Sequence, residues 1–410
     1  LEIKRLDHTR ILMYSHDTFG LGHLRRCRAI AHSIVEQFKG VSILIISGSQ
    51  IAGAFDFKAR VDFVKIPSVI KLYNGEYDSI GEYIDIEEIL EMRKLIIQRT
   101  AEAFNPDIFI VDKEPMGLKG ELEPTLEMFK QTKTKTVLGL RDVMDSPKLL
   151  KKEWSNQSML TKIDNYYNAA WIYGPEHFWN PLEGLDVRDS LKSKISYVGF
   201  LERESHSVVK SDNHLLPDKY ILVTAGGGGD GIAIMEQVLA AREYDPKIDF
   251  PIVMVLGPFM KSENRDKIRL RASGLANITV IDFENRMEVL MQKAVGLVGM
   301  CGYNTFCEVL SFDRKALFVP RTKPREEQYI RAKRSTEIGL SSMLTPEEAA
   351  IPSEMAKALR NLPSQKLPSQ SLAEGDMAGL DNICLEIQKI SEYQKSASTE
   401  VKKILKPQRA

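Results

Sequence analysis

The chain has 410 residues, a size for two or three domains. Hydrophobic residues make up 43 % and charged residues 27 %, ordinary globular values that exclude disordered, collagen-like and fibrous classes. Lys and Arg number 56, and so do Asp and Glu; this zero balance argues against a protein whose main task is coating nucleic acid, since such domains carry a large positive excess. Four scattered cysteines, Cys27, Cys301, Cys307 and Cys384, form no Cys-x-x-Cys pair. They give neither a disulfide framework nor a zinc ribbon, and they point to reduced thiols in the cytoplasm. The longest apolar run, about 250–260, is broken by one glycine and two prolines. It falls well short of the roughly 20 residues of a membrane span, so an integral membrane protein is not expected, whereas peripheral membrane contact stays open.

Short apolar runs alternate with helical patterns along most of the chain. Residues 10–15 read as the first strand, followed by a glycine-containing turn and a helix over about 23–38. Residues 41–47 and 61–66 continue as strands. Ile86–Phe104 reads as one long helix, with Ile89, Leu90, Met92, Ile96, Ile97 and Phe104 on one face. Strands follow at 107–111, 135–140 and 169–173. That spacing predicts parallel β-α-β units in a doubly wound sheet. Near 195–203 a strand gives way to polar residues, which read as an interdomain linker. A second β-α series opens at 220–224 and runs through 251–256, 278–282, 296–299 and 316–320. The chain therefore divides into 1–204, 205–361 and 362–410. Residues 362–376, rich in Pro, Ser and Gln, read as a mobile connector, and about 380–405 as a helix. The basic tail 402–410 reads as a solvated terminus or, in the alternative, as a segment drawn to an anionic membrane face.

Four loops at strand ends carry the chemistry. The strongest runs from Thr224 through four consecutive glycines, Gly226, Gly227, Gly228 and Gly229, to Asp230 and Gly231, and opens a helix at about 232. Such glycines let backbone N–H groups close on a ligand, and the helix N-terminus adds partial positive charge; this is a diphosphate cradle made of backbone. The Lys-Ser/Thr ending of a Walker A loop is missing, and a turn alone would need a single glycine. The second loop follows the first strand. Gly20 and Gly22 lie at its carboxyl end, where ligands bind in open α/β sheets. His23 falls in the first helical turn, where the helix field favours the neutral imidazole that a general base requires; a capping or packing histidine is the alternative, and more so for His16.

The third loop holds Gly302, Asn304, Thr305 and Glu308. A helix is predicted to start near Thr305, with Asn304 and Thr305 as caps. Glu308 sits one turn in, as a carboxylate able to accept two ribose hydroxyls, or as a helix-start glutamate answering the dipole. In the fourth loop Arg321, Lys323 and Arg325 precede Gln328, whose amide offers both donor and acceptor to sugar hydroxyls; a solvated charged loop is the alternative. Brought together across a cleft, the four loops describe a nucleotide diphosphate held mostly by the second half, with the His23 loop facing it.

On these motifs the chain, over about residues 10–345, resembles GT-B glycosyltransferases. Within them it resembles the family 28 group that includes the lipid-linked UDP-N-acetylglucosamine transferase of peptidoglycan synthesis. The loop 226–231 is similar to that family's donor-phosphate loop, and Phe283 to Met287 to its base-contacting segment. Gly302, Thr305 and Glu308 are similar to its ribose-binding helix. Pro320 followed by Gln328 is similar to its donor-sugar motif, although Glu327 stands where the family often has His. Gly20, Gly22 and His23 are similar to its glycine-rich loop with the catalytic histidine. The stretch from Gly20 to Cys27 also resembles UDP-sugar hydrolases of nonulosonic acid synthesis. Leu140, Arg141 and Asp142, with Gly174 and Pro175, resemble a branch of bacterial predicted glycosyltransferases for which no acceptor is implied.

The resemblance implies an α/β, GT-B architecture: two Rossmann-like domains facing each other across a cleft, with the first on the acceptor side and the second binding the nucleotide sugar. It implies a bacterial, cytoplasmic enzyme, membrane-associated on the inner face in one version, serving cell-envelope or polysaccharide synthesis. The donor, a UDP-sugar, is a substrate, so no cofactor is expected. The acceptor is a carbohydrate, a lipid-linked or a small-molecule hydroxyl, and nucleic acid is not a partner. The donor set is Gly20, Gly22, Thr224, the glycines from Gly226 to Gly229, Phe283, Met287, Gly302, Asn304, Thr305, Glu308, Arg321, Arg325 and Gln328. His23 is the expected base, oriented by Asp17 or Asp142. No Asp-x-Asp pair occurs, so a metal-bridged diphosphate is not expected. A nucleotide-sugar hydrolase or epimerase is the alternative, the latter calling on Glu114 and Asp142, and an inactive scaffold comes third. The candidate acceptor loop, 69–84, names no substrate.

Overall fold

A computed structural model describes the chain apart from residues 1–3, 17–21, 72–76, 80–83, 157, 204–215, 228, 249, 285 and 405–410. Two sheets carry it. In the first half, strands β1 (Lys4–Ser15), β2 (Phe38–Ser47), β3 (Val61–Lys65), β4 (Ile108–Asp112), β5 (Lys135–Arg141), β6 (Ala169–Tyr173) and β7 (Ile195–Tyr197) lie in the order β3-β2-β1-β4-β5-β6-β7. In the second half, β8 (Tyr220–Thr224), β9 (Ile252–Val255), β10 (Ile278–Ile281), β11 (Ala294–Gly299), β12 (Lys315–Phe318) and β13 (Ser342–Met343) lie in the order β10-β9-β8-β11-β12-β13. Every neighbouring pair in the two sheets is parallel. The doubly wound architecture is thus the one the sequence predicts.

Parallel strands covered on both faces need continuous apolar runs. β4 and β8 are buried at all five positions. Each run ends on a polar residue: Ser15 in β1, Asp112 in β4 and Thr224 in β8. Ser15 and Asp112 are paired in register, so the polar ends emerge side by side. Strand order reverses beside β1 in one sheet and beside β8 in the other, which opens a crevice at the carboxyl ends between β1 and β4 and between β8 and β11.

Helices fill the crossovers. The ones that matter for the site are α1 (Gly22–Gln37), α2 (Ile86–Phe104), α3 (Ile232–Tyr244), α4 (Tyr303–Ser311), α5 (Glu327–Glu337) and α6 (Gly379–Ile404). α2 has the predicted limits: Asp85 caps it by accepting from the Glu87 amide, and Asn105 ends it in the left-handed conformation. Its buried face differs from the predicted one. Ile89, Arg93, Ile97 and Ala101 point inward, whereas Met92 is 44 % exposed. The cause is Arg93, whose guanidinium is drawn inside by Glu121 through two bonds of 2.7 Å.

Residues 362–376 are a second correction. They form no mobile connector but two 3-10 turns, Leu362–Ser364 and Pro368–Gln370. Leu362 is fully buried, and Ser369 donates through its amide and its hydroxyl to Asp313, both at 2.8 Å. Here Pro, Ser and Gln build turns on the second half. The chain then crosses back. The Phe200 amide donates to the Asp376 carbonyl at 2.7 Å, the Gly379 amide to the Phe200 carbonyl at 3.0 Å, and α6 lies along α1, with Gln37 donating to Asp381 at 2.6 Å. The segment read as one C-terminal extension is therefore shared between the halves. Most of the predicted linker, and the tail from 405, lie outside the described residues. The core is continuous between the halves: the rings of Phe178, Phe200, Phe306 and Phe318 meet in series, edge-on at 5.1 and 5.3 Å and tilted at 6.2 Å between centroids. Among the described residues no helix is long and apolar enough to cross a membrane.

Candidate active site

The two crevices face each other and form one cleft of about 1630 Å³, lined by strand-end loops of both halves. The sequence-predicted residues that are described all line it, with the exception of Asp142. Asp17, Gly20 and Gly228 lie outside the described residues.

The first wall is built from side chains. His23, in the first turn of α1, is 15 % exposed, and its Nδ1 lies 2.6 Å from Oδ2 of Asp112, which is 1 % exposed. That contact assigns the neutral imidazole's proton to Nδ1 and leaves the Nε2 lone pair free. Asp112 is also gripped by buried Arg26, whose Nε and Nη2 donate to its two oxygens at 2.7 and 2.6 Å. Burial pushes the His23 imidazole down to about 4, against the opposing hydrogen bond and charge of Asp112. Burial would raise the Asp112 carboxyl, but the Arg26 charge and the His23 bond outweigh it and hold it below the usual carboxylate range. At neutral pH the site therefore holds an uncharged imidazole beside a charged carboxylate. His16 stands edge-on to His23 at 5.6 Å between ring centroids. Burial lowers it to about 3. Its Nδ1 is 3.3 Å from the Tyr14 hydroxyl, which donates to Glu121.

The second wall is built mainly from backbone. α3 begins after Gly231 and α4 after Gly302, and neither helix has a side-chain cap. Their first N–H groups are left for a ligand, a ready anion site at each end. Thr224 Oγ1 accepts from the Gly226 amide at 3.2 Å and so shapes the glycine loop. Gly257, at the end of β9, has φ +91°, and a Cβ there would stand 2.7 Å from the Gly226 carbonyl oxygen. Only glycine lets the loop rest on it. Phe283 is 37 % exposed at the cleft and Met287 is buried.

Several side chains of this wall already have protein partners. α4 starts two residues before Thr305, so Asn304 and Thr305 sit inside its first turn and Gly302 takes the cap position. Asn304 bridges the halves instead: its Nδ2 donates to the Gly22 carbonyl at 2.9 Å, and its Oδ1 accepts from Arg203 at 2.7 Å. Glu308, 4 % exposed, is ion-paired with Arg25 of α1. Arg321 is held by Asp230 at 2.6 Å and Glu327 at 3.4 Å, and its amide donates to Gln328 Oε1 at 3.3 Å. Arg325 reaches across to Asp145 at 3.3 Å and Glu153 at 3.1 Å.

Asp142 does not orient His23. It is sealed with Arg331 in a fully buried bidentate pair, at 2.8 and 2.7 Å, that ties the halves together. Asp112 holds the place by His23. The sequence signal for it is slight: an acidic residue that closes a fully apolar strand at the crevice, opposite Ser15.

Residues 220–382 match the family described as Glycosyltransferase family 28 C-terminal domain. No curated protein matches the chain in sequence. Among solved structures, MurG of Acinetobacter baumannii is 14 % identical, with a TM-score of 0.57 over 93 % of this chain and 99 % of that one. TcCGT1, solved in complex with UDP, is 12 % identical, with a TM-score of 0.61 over 95 % and 100 %. A Listeria monocytogenes protein described as a UDP-N-acetylglucosamine 2-epimerase is 15 % identical, with a TM-score of 0.60 over 95 % and 98 %. At these identities the likeness is one of fold. The chain thus has a GT-B fold of two Rossmann-like domains, and residues 220–382 of its second half match a glycosyltransferase family 28 C-terminal domain.

Proposed function

We propose that the protein transfers a sugar from a UDP-sugar to an acceptor hydroxyl. The family 28 match supports glycosyl transfer in general. The observation that carries the finer reading is the pairing across the cleft: a neutral, oriented imidazole on one wall faces two uncapped helix ends and a glycine loop on the other. In this reading the amides of the loop 226–231 and the starts of α3 and α4 hold the diphosphate and stabilise the charge that grows on it as the glycosidic bond breaks. Glu308 accepts from the ribose hydroxyls, Phe283 and Met287 flank the base, and Gln328 faces the sugar. His23 Nε2 takes the proton from the acceptor hydroxyl, and Asp112 stabilises the imidazolium that results.

The acceptor is a carbohydrate, a lipid-linked or a small-molecule hydroxyl compound, and the first half supplies its site. Part of the loop 69–84 lies outside the described residues; the rest forms a hairpin, Val69–Lys71 with Tyr77–Ser79. Hydrolysis is the same chemistry with water in the acceptor's place. The epimerase reading loses one of its two carboxylates, because Asp142 is sealed against Arg331, and keeps only Glu114. A thermal-shift screen of nucleotide sugars, followed by UDP-release assays with and without each acceptor class, tests the proposal. UDP release that depends on added acceptor is the expected result. Release at the same rate in water alone makes the protein a hydrolase, and no release with any nucleotide sugar refutes both.

A further inference from the structure

Several cations of the cleft are paired with carboxylates that have no proposed ligand role. Arg321 and Arg325 each hold two carboxylates, Arg141 holds Glu327, and Lys113 holds Glu114 at 2.9 Å. Arg25 is different. It lines the cleft and is 24 % exposed, and the carboxylate that holds it is Glu308, 4 % exposed, the group proposed to receive the ribose. Its guanidinium therefore sits at the ribose seat, and the two cannot occupy that seat together. Ribose and diphosphate are joined through a single C5′ methylene, so a guanidinium displaced from the ribose seat has phosphate oxygens beside it. A guanidinium meets such oxygens with charge-assisted, often bidentate hydrogen bonds.

Resting on the UDP-sugar reading above, we infer that Arg25 changes partners when the donor binds, leaving Glu308 to the ribose and moving to the diphosphate. Arg25 is then a ligand to the leaving group supplied by the first half, two residues from His23 on α1. The same helix end is tied to α4 by the bond from Asn304 to the Gly22 carbonyl. Donor binding is in this way registered by the helix that carries the base. The Arg25–Glu308 pair gives the buried Glu308 carboxylate a partner.

The exchange separates UDP from uridine. Calorimetric titrations of both ligands into the full chain, the Arg25→Gln and Arg25→Ala variants, and Glu308→Ala provide the test. In the Arg25 variants UDP should bind about ten- to a hundredfold more weakly, the scale of hydrogen bonds to a charged group. Uridine should bind as well as before or more tightly, because Glu308 no longer has to give up a guanidinium. Unchanged or tightened uridine binding also shows that the variants are folded. Equal weakening of UDP and uridine would overturn the exchange, since Arg25 would then act at the nucleoside or in folding, and so would unchanged UDP binding. If the unaltered chain binds UDP, Glu308→Ala weakens it and the Arg25 variants do not, the exchange fails while the donor reading stands. If the unaltered chain binds no UDP, both fall.

Discussion

The two walls of the cleft are made of different material. The second half lines the cleft largely with backbone: a glycine loop, a supporting Gly257, and two helix starts without side-chain caps. The first half lines it with side chains held from behind: His23 is hydrogen-bonded to Asp112, and Arg26 grips Asp112 in a buried ion pair. Amides hold a diphosphate whatever sugar it carries and need no protonation state. A base needs a defined tautomer and a tuned pKa, which only specific side chains provide. Binding and proton transfer should therefore break separately.

The largest effect is expected at Asp112. Asp112→Ala leaves the Arg26 guanidinium buried and unpaired and should cost about 3–5 kcal/mol of stability, read by denaturant unfolding. Asp112→Asn keeps the volume and should cost less stability while cutting turnover about 10²–10⁴-fold, the range of general-base catalysis. On the other wall, Glu308→Ala should weaken UDP about ten- to a hundredfold, as loss of hydrogen bonds to a charged acceptor does; unchanged UDP affinity removes its ribose role. Gly257→Ala places a Cβ against the Gly226 carbonyl at φ +91°, with strain of about 1–3 kcal/mol. It should weaken UDP binding with little change in turnover at saturating donor.

The smallest effect is on pH dependence. His23 works as a base only when neutral, and burial holds it near 4. The acid limb of kcat/KM should accordingly fall near pH 4, not near the ordinary histidine value of about 6.5. The linkage has the same sign. His16 and His23 are lowered to about 3 and about 4, below their unfolded value, so the unfolded chain binds more protons on acidification. Their contribution to stability is complete above about pH 6.5 and is lost as pH falls through 4 to 3. Urea midpoints that do not fall across that window would contradict the buried, neutral state of both rings.

How much was legible in the sequence follows the same division. Buried parallel strands read as short apolar runs, so β6 and β8 have the predicted limits and most others differ by one to three residues, while β1 starts six residues early and the two-residue β13 was not predicted. Glycines that must bend a loop at a strand end are visible one by one. The charge pairs are not: Asp112 lies 86 residues from Arg26 and 89 from His23, and Asp142 lies 189 from Arg331. Nothing local distinguishes an aspartate that closes a strand over a buried arginine from one that meets water. The sequence therefore offers Asp17 or Asp142 as the partner of His23, whereas the structure puts Asp112 there. Composition misled at 362–376, where Pro, Ser and Gln make turns against the second half instead of a linker. Periodicity misled at α2, where a buried Arg93 occupies a position that an apolar count passes over.

The division of labour is tested most directly by measuring UDP affinity and donor turnover on one preparation of His23→Ala. The account predicts UDP binding within about twofold of the unaltered chain and turnover reduced by about 10²–10⁴-fold, the contribution of a positioned general base. Full turnover, or UDP binding lost together with turnover, would contradict it.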